Sequence, residues 1–407
     1  MTTRSLPPPA PVLTLGSASA PTPGHPETLT VPERTERVEP ADLFVKNLGA
    51  CRYESPLKER LGQRALHHVG QAERVLLDDR LSEVTSADAT AEEIPTFELA
   101  GPRDKLFFDP KTVRCGIVTC GGLCPGINNV VRGLVLELTH AYGVKDIFGF
   151  RYGFEGLVER MGHQPLRLAP ELVGAIHQQG GTVLGTSRGS QEPREMVDTL
   201  ERLGIGALFV IGGDGTLRGA TKILAEAERR ALPLAVVGIP KTIDNDIHFI
   251  DRSFGFESAY SAAVEAIRSA HVEATGALNG VGLVKLMGRH SGFIACHAAL
   301  ASTDVNFVLI PEVPLRLEGD RGFLRNLERR LAHRGHAVIV VAEGAGQELC
   351  ADPPNRTPEP VLSDRAIETT DGATEWAREA QPRTDASGNA RLKDIGMVLR
   401  DRINGHF

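Results

Sequence analysis

From Arg114 onward the chain alternates short, β-branched apolar runs with stretches of helical periodicity. The runs Cys115–Thr119, Asp146–Phe150, Ala207–Ile211, Ala235–Ile239, Gly282–Leu286, Asn306–Ile310 and Ala337–Val341 predict strands. Segments such as Thr221–Arg230 and Ala259–His271 predict helices between them. Apolar strands spaced by helices predict βαβ units, that is, an α/β fold of doubly wound, Rossmann-like parallel sheets with helices on both faces. Sheets of this kind bind ligands beyond the carboxyl ends of their strands. The glycine-rich segments of the chain fall at those ends.

The amino-terminal part follows a different pattern. Residues 1–40 are rich in proline and poor in large apolar side chains, which predicts a flexible tail unable to offset its ordering entropy. A secretory signal ending near Ala20 is the sharper alternative, but its apolar run is short and begins in prolines. Residues 41–100, with helical patches such as Leu57 to Leu76 and many charges, predict a packing arm rather than a catalytic domain. The catalytic region is expected over 101–407, and no internal repeat is evident.

Composition narrows the function. With 407 residues, 41% hydrophobic and 24% charged, there is room for two domains at roughly 150 residues each. Lys plus Arg (45) against Asp plus Glu (52) leaves 45 − 52 = −7, which argues against a nucleic-acid partner while permitting a local anion pocket. Six cysteines in so long a chain do not make a disulfide scaffold, and no run of about 18 apolar residues predicts a membrane span. A cytoplasmic protein is expected.

Three turns carry the chemistry. The first, Cys120-Gly121-Gly122-Leu123-Cys124-Pro125-Gly126-Ile127-Asn128-Asn129, sits between a strand and an apolar helix. Its glycines allow close backbone approach, and the helix start offers free N–H groups to a phosphate. A tight strand–helix connection would use the same residues. The second, Ile211-Gly212-Gly213-Asp214-Gly215-Thr216, sets an acid among glycines where phosphate oxygens are expected. Mg²⁺ would turn that repulsion into attraction, whereas the plain alternative is that Asp214 caps the next helix. The third, Pro240-Lys241-Thr242-Ile243-Asp244-Asn245-Asp246-Ile247, brings two carboxylates together behind a strand. One can hold Mg²⁺ while the other accepts a proton from a substrate hydroxyl. A solvated acidic turn is the alternative.

Further candidates follow other predicted strands. Arg188, ending the glycine-rich strand Gly180 to Arg188, is placed to stabilise charge on a transferring phosphoryl group. Met287-Gly288-Arg289-His290 is placed to bind a phosphorylated sugar and Glu312 to accept sugar hydroxyls, although taken singly each arginine reads as a surface ion pair and Glu312 as a cap. By contrast Cys115, Cys120 and Cys124 fit no zinc spacing and read as core thiols. His248, His271, His290 and His297 form no readable triad, and the Gly-x-Ser-x-Gly elbow of a serine hydrolase is missing.

Taken together, Gly121–Asn128, Gly180–Arg188, Gly212–Thr216, Pro240–Asp246, Lys285–Arg289 and Ala342–Gln347 resemble the 6-phosphofructokinases, in the family's order and from about residue 100 onward. The wording is closest to the ATP-dependent plant and trypanosomatid branch. The resemblance implies the two-domain phosphofructokinase fold and phosphorylation of fructose 6-phosphate by ATP to fructose 1,6-bisphosphate and ADP, the committed step of glycolysis. It implies Asp244 as general base, with Arg188 also catalytic, and Asp214 and Asp246 as Mg²⁺ residues. It implies nucleotide contacts from Gly121, Arg188, Gly189, Gly213, Asp214, Gly215 and Thr216. Sugar-phosphate contacts are implied for Thr242, Ile243, Asp244, Met287, Gly288, Arg289 and Glu312. Relatives assemble as homodimers or homotetramers.

Within the family the donor is either ATP or pyrophosphate. Pyrophosphate users carry Asp at the position of Gly215 together with Lys at that of Lys241, and a side chain at 215 would crowd and repel the nucleotide α-phosphate. Gly215 paired with Lys241 resembles the ATP-dependent members of the branch. Bacterial-type enzymes place an arginine seven residues before Met287, where this chain has Gly280. Relatives also continue past Phe407 through a Tyr-Met-Ile-Arg-type segment that helps bind the sugar phosphate. The alternatives to the ATP-dependent enzyme are a pyrophosphate-dependent one and an incomplete chain that binds nucleotide without turnover.

Overall fold

Strand β1 (Arg114–Thr119) buries every residue after its first, as a strand covered on both faces must. This is a computed structural model, and it describes residues 43–57, 59, 68–77, 94–350 and 391–407. β2 (Asp146–Phe150) pairs with β1 in parallel, and the short β3 (Leu166–Arg167) adds an antiparallel edge beyond β2. On the other side of β1 lie β4 (Ile205–Gly212) and then β5 (Ala235–Pro240), both parallel. The five-stranded sheet therefore runs β3-β2-β1-β4-β5. A second sheet is formed by β6 (Gly280–Leu286), β7 (Phe307–Leu309) and β8 (His336–Ala342), all parallel, with β8 central.

Helices cover both faces of each sheet. Against the first sheet, α1 (Ile127–Leu136), prolonged by π-helical turns over Glu137–Tyr142, packs Val131 and Val135 onto Ile117 and Ile147. On the opposite face α2 (Pro193–Arg202) and α3 (Asp214–Arg229) bury Met196, Leu200 and Ile223 against Leu208 and Val210. Around the second sheet, α4 (Phe256–Gly276) and α5 (Phe293–Ala301) cover one face through Ile267 and Ala295. There α6 (Phe323–Arg334) and α7 (Ile395–His406) cover the other through Leu327 and Leu399. Among the described residues no helix is long and apolar enough to cross a membrane. Leu208 is completely buried in β4, so Leu208→Ala should destabilise the fold by about 2–5 kcal/mol. Chemical denaturation followed by circular dichroism checks this.

The α/β reading is borne out, with adjustments. α3 begins at Asp214 rather than Thr221, and α4 runs from Phe256 to Gly276, well beyond Ala259–His271. The predicted strand over Asn306–Ile310 shortens to Phe307–Leu309. Gly180 to Arg188 is not a strand but an irregular loop. It is pinned by Asn128, whose amide donates to Gln179 O at 3.1 Å and accepts from Val183 N at 2.8 Å.

The helical patch expected over Leu57 to Leu76 falls partly outside the described residues. Where described, Leu57 and Glu59 are helical, 68–73 is turn and loop, and Arg74–Leu76 is a strand. The tail over 1–40 lies wholly outside the described residues. By internal contacts the chain divides into two units, Met1–Phe44 with Val75–Phe97, and Val45–Arg74 with Glu98–Phe407. In the first, Leu77 N donates to Pro95 O at 3.0 Å; the second holds both large sheets and the antiparallel pair Tyr53–Glu54 with Lys105–Leu106.

Candidate active site

Adjacent parallel strands end side by side, so the turns after β1, β4 and β5 meet. Cys120 N donates to Ile211 O and Lys241 N donates to Gly212 O, each at 2.9 Å. From the far side, the loop after Gly180 closes in through Gly121 N to Ser187 O (3.1 Å) and Thr186 Oγ1 to Gly121 O (2.7 Å). The Arg188 guanidinium lies over Gly122, 3.6 Å from where a side chain there would begin. A cavity here is lined by Gly121, Gly122, Thr186, Ser187 and Arg188, together with Tyr152, Glu155 and His163. The last three carry no signal in the sequence; Tyr152 sits in a left-handed conformation (φ 61°), its ring centroid 4.7 Å from that of His163.

Lys241 is almost fully buried, and its Nζ donates to Gly122 O at 2.7 Å, tying the first turn to the third. Burial pushes its ammonium below the usual lysine range. Burial likewise pushes the Cys115 and Cys120 thiols up to about 12, which makes both poor nucleophiles and poor ligands. Thr216 is also buried, its side chain packed over Gly212.

Asp214 is the first residue of α3, behind Gly213, and makes no capping bond, contrary to the plain alternative. It pairs instead with Arg218 one turn along, through Oδ2, and is two-thirds exposed. Gly215 follows. A Cβ at Gly215 would meet nothing within 4 Å, and its backbone does not need the left-handed region. Glycine inside a helix costs up to about 1 kcal/mol relative to alanine, so packing gives no reason for glycine at this position.

The third turn is internally braced. Thr242 Oγ1 donates to Asp246 Oδ1 at 2.5 Å and accepts from Asp244 N at 3.2 Å. Asn245 accepts from Ser253 N at 2.6 Å, and Ser253 Oγ accepts from Thr242 N at 2.9 Å. Asp244 Oδ1 is buried with no hydrogen-bond partner. Burial raises its carboxyl above the usual range, the charge of Asp246 adds to this, and the Arg289 backbone N–H opposes it.

Beyond the third turn opens a cavity of about 540 Å³ lined by Asp246, Arg252, Glu257, His290, Ser291 and Glu312, among others. That volume suits a small polar ligand. Glu312 Oε1 accepts from Gly292 N at 2.8 Å, at the start of α5. Met287 is exposed beside this region, while Gly288 is buried with a φ of 132°. At Gly280 a side chain would run into Ala274 O, so an arginine cannot stand there without shifting α4. His248, Arg252, His290 and His297 line the cavity; Arg252 carries no signal in the sequence and is paired to Glu257 at 2.9 Å.

Parallel strands ending in glycine-rich turns, with acids and a guanidinium on the same edge, define a doubly wound α/β protein whose strand ends carry these polar groups. The chain belongs to the phosphofructokinase family, whose profile matches residues 114–400. It is similar to the ATP-dependent 6-phosphofructokinase of Amycolatopsis methanolica, with 49% identity over 368 residues, 90% of this chain and 75% of that one. A Trypanosoma cruzi protein of the same name is 44% identical over 363 residues, covering 89% of this chain and 68% of that one. ATP-dependent 6-phosphofructokinase 1 of Arabidopsis thaliana is 48% identical over 311 residues, with 76% and 60% covered. Among solved structures, the pyrophosphate-dependent phosphofructokinase of Marinobacter aquaeolei superposes with a TM-score of 0.50 at 24% identity, over 57% of this chain and 61% of that one. At that identity the likeness concerns the fold alone.

Proposed function

We propose that this chain transfers the γ-phosphoryl group of ATP to the 1-hydroxyl of fructose 6-phosphate, giving fructose 1,6-bisphosphate and ADP. The observation that carries the reading is the buried, unpartnered Oδ1 of Asp244. A buried acceptor left unpaired costs free energy unless a donor meets it in the working complex, and a substrate hydroxyl is such a donor. Asp244 takes the proton as the sugar oxygen attacks phosphorus and ADP departs. Arg188 and the N–H groups of the turns at Gly121 and Gly213–Thr216 stabilise charge on the phosphoryl oxygens.

Asp214 and Asp246 offer hard carboxylate oxygens, the donor set Mg²⁺ prefers alongside substrate phosphates. They are the residues that would hold it, and it would supply charge neutralisation for the transferring phosphoryl group. Thr242, Ile243, Met287, Gly288, Arg289 and Glu312 surround the sugar phosphate in this reading, and Gly189 lies beside Arg188 at the nucleotide. Assembly as a homodimer or homotetramer and a cytoplasmic location complete the reading, following the family resemblance.

A pyrophosphate donor is the second reading, kept because lysine at the position of Lys241 is common to both donor classes in the resemblance. Its ammonium is already bonded to the Gly122 carbonyl, which suits a brace between turns as well as a phosphate ligand. Initial rates with ATP and with pyrophosphate at equal Mg²⁺ separate the two: turnover with ATP supports the proposal. Turnover with pyrophosphate alone overturns it, and so does tight nucleotide binding without turnover.

The reaction should also report the state of Asp244. A general base works only when ionised, so kcat/KM should fall as pH drops through its raised pKa, at higher pH than an ordinary aspartate would give. For stability the sign is opposite to that of a paired acid. The destabilisation is absent below the unfolded pKa and complete above the folded one. A pH–rate profile for kcat/KM, with the acid limb lying in the usual aspartate range, would contradict the shift.

A further inference from the structure

The segment after β6 is tied to the second sheet by Glu343 N to Leu286 O and Gly344 N to Gly288 O, each 2.9 Å. From this anchored segment Ser291, 4% exposed, donates its hydroxyl to the Asp244 carbonyl at 2.9 Å. The next residue, Gly292, donates its N–H to Glu312 at 2.8 Å, and any side chain there would collide with Ile310. A single dipeptide therefore connects the proton-accepting acid, through the Ser291 hydroxyl, to the acid at the end of the next strand, through the Gly292 amide. The Asp244 turn already closes on itself through Asn245 and Ser253, so its internal bonds do not fix its distance from the second sheet.

We propose that Ser291 is a positioning residue: its hydroxyl, bonded to the backbone carbonyl of Asp244, holds the main chain that carries the base relative to the sugar-binding segment, so that base and acceptor hydroxyl meet at attack distance. This rests on the reading of Asp244 as the base of a sugar-phosphate kinase. A hydroxyl that merely satisfies a buried site would affect stability and leave catalysis alone. A hydroxyl that sets geometry acts on kcat, because a displacement of about 1 Å can cost about a hundredfold.

The test compares Ser291→Ala and Ser291→Cys with the full chain. The cysteine variant keeps the volume and weakens the donor, and it carries the test alone should the alanine variant fail to fold. The expected order of kcat is Ser above Cys above Ala, with a loss of about ten- to a hundredfold for alanine and KM for both substrates within about twofold. Hydrogen exchange read by mass spectrometry should show peptides spanning 242–253 exchanging faster in the variants, with the strands unchanged. Equal kcat across the series, a loss confined to KM, or unchanged exchange over 242–253 overturns the proposal. The exchange result stands whether or not the wild-type chain turns over fructose 6-phosphate, and absence of that turnover counts against the proposed function instead.

Discussion

Asp244→Asn lowers kcat by about two to four orders of magnitude and leaves KM for both substrates within a few-fold. The asparagine keeps the shape, so the bonds of Asp244 N and O to Thr242 and Ser291 persist. On the proposed role, what disappears is an acceptor for the proton of the attacking hydroxyl, which matters in the transition state far more than in the ground state. Burial also raises the wild-type carboxyl, so removing the charge relieves a desolvation cost, and the variant should melt no lower than the wild type at neutral pH. Steady-state kinetics with a thermal melt check both halves. A variant that turns over normally removes Asp244 from the reaction.

Gly215→Asp produces the second large effect and separates stability from donor use. The position has open space for a side chain, and it lies in the first turn of α3, where a carboxylate complements the helix dipole by about 0.3–1 kcal/mol. The folded protein should therefore be as stable as the wild type or slightly more so. Activity moves the other way. If Gly215 faces the nucleotide phosphates as proposed, a carboxylate there places like charges together at a cost of several kcal/mol, and about 1.4 kcal/mol is a factor of ten. kcat/KM for ATP should fall about a hundredfold or more. Unchanged ATP kinetics would show that Gly215 does not face the nucleotide.

Much of this was legible in the sequence because the strands are buried on both faces. β1, β4 and β8 are continuous apolar runs, and each ends in glycine-rich or acidic residues whose chemistry is local. What depended on distant partners was not legible. Ser291 bonds a residue 47 positions away, and nothing in Arg-His-Ser-Gly announces that bond. Gly180 to Arg188 reads as a strand by its apolar residues, yet no neighbouring strand takes it up; Asn128, 55 positions from Val183, holds it as a loop. β3 is two residues long, too short for alternation to register. Asp214 reads as a phosphate-side acid with a helix cap as the plainer alternative; the structure shows no cap bond and pairs it with Arg218, a partner one helical turn along that the glycine-rich motif does not announce.

The most direct measurement is a structure of the chain with Mg²⁺, a non-hydrolysable ATP analogue and fructose 6-phosphate bound together. The sugar 1-oxygen should lie within about 3.2 Å of the Asp244 carboxylate, on a line with the γ-phosphorus, and a carboxylate of Asp214 or Asp246 should sit about 2.1 Å from the metal. A sugar bound with that hydroxyl turned away from Asp244, or a metal–nucleotide complex seated away from the turns at Gly121 and Gly213, would contradict it.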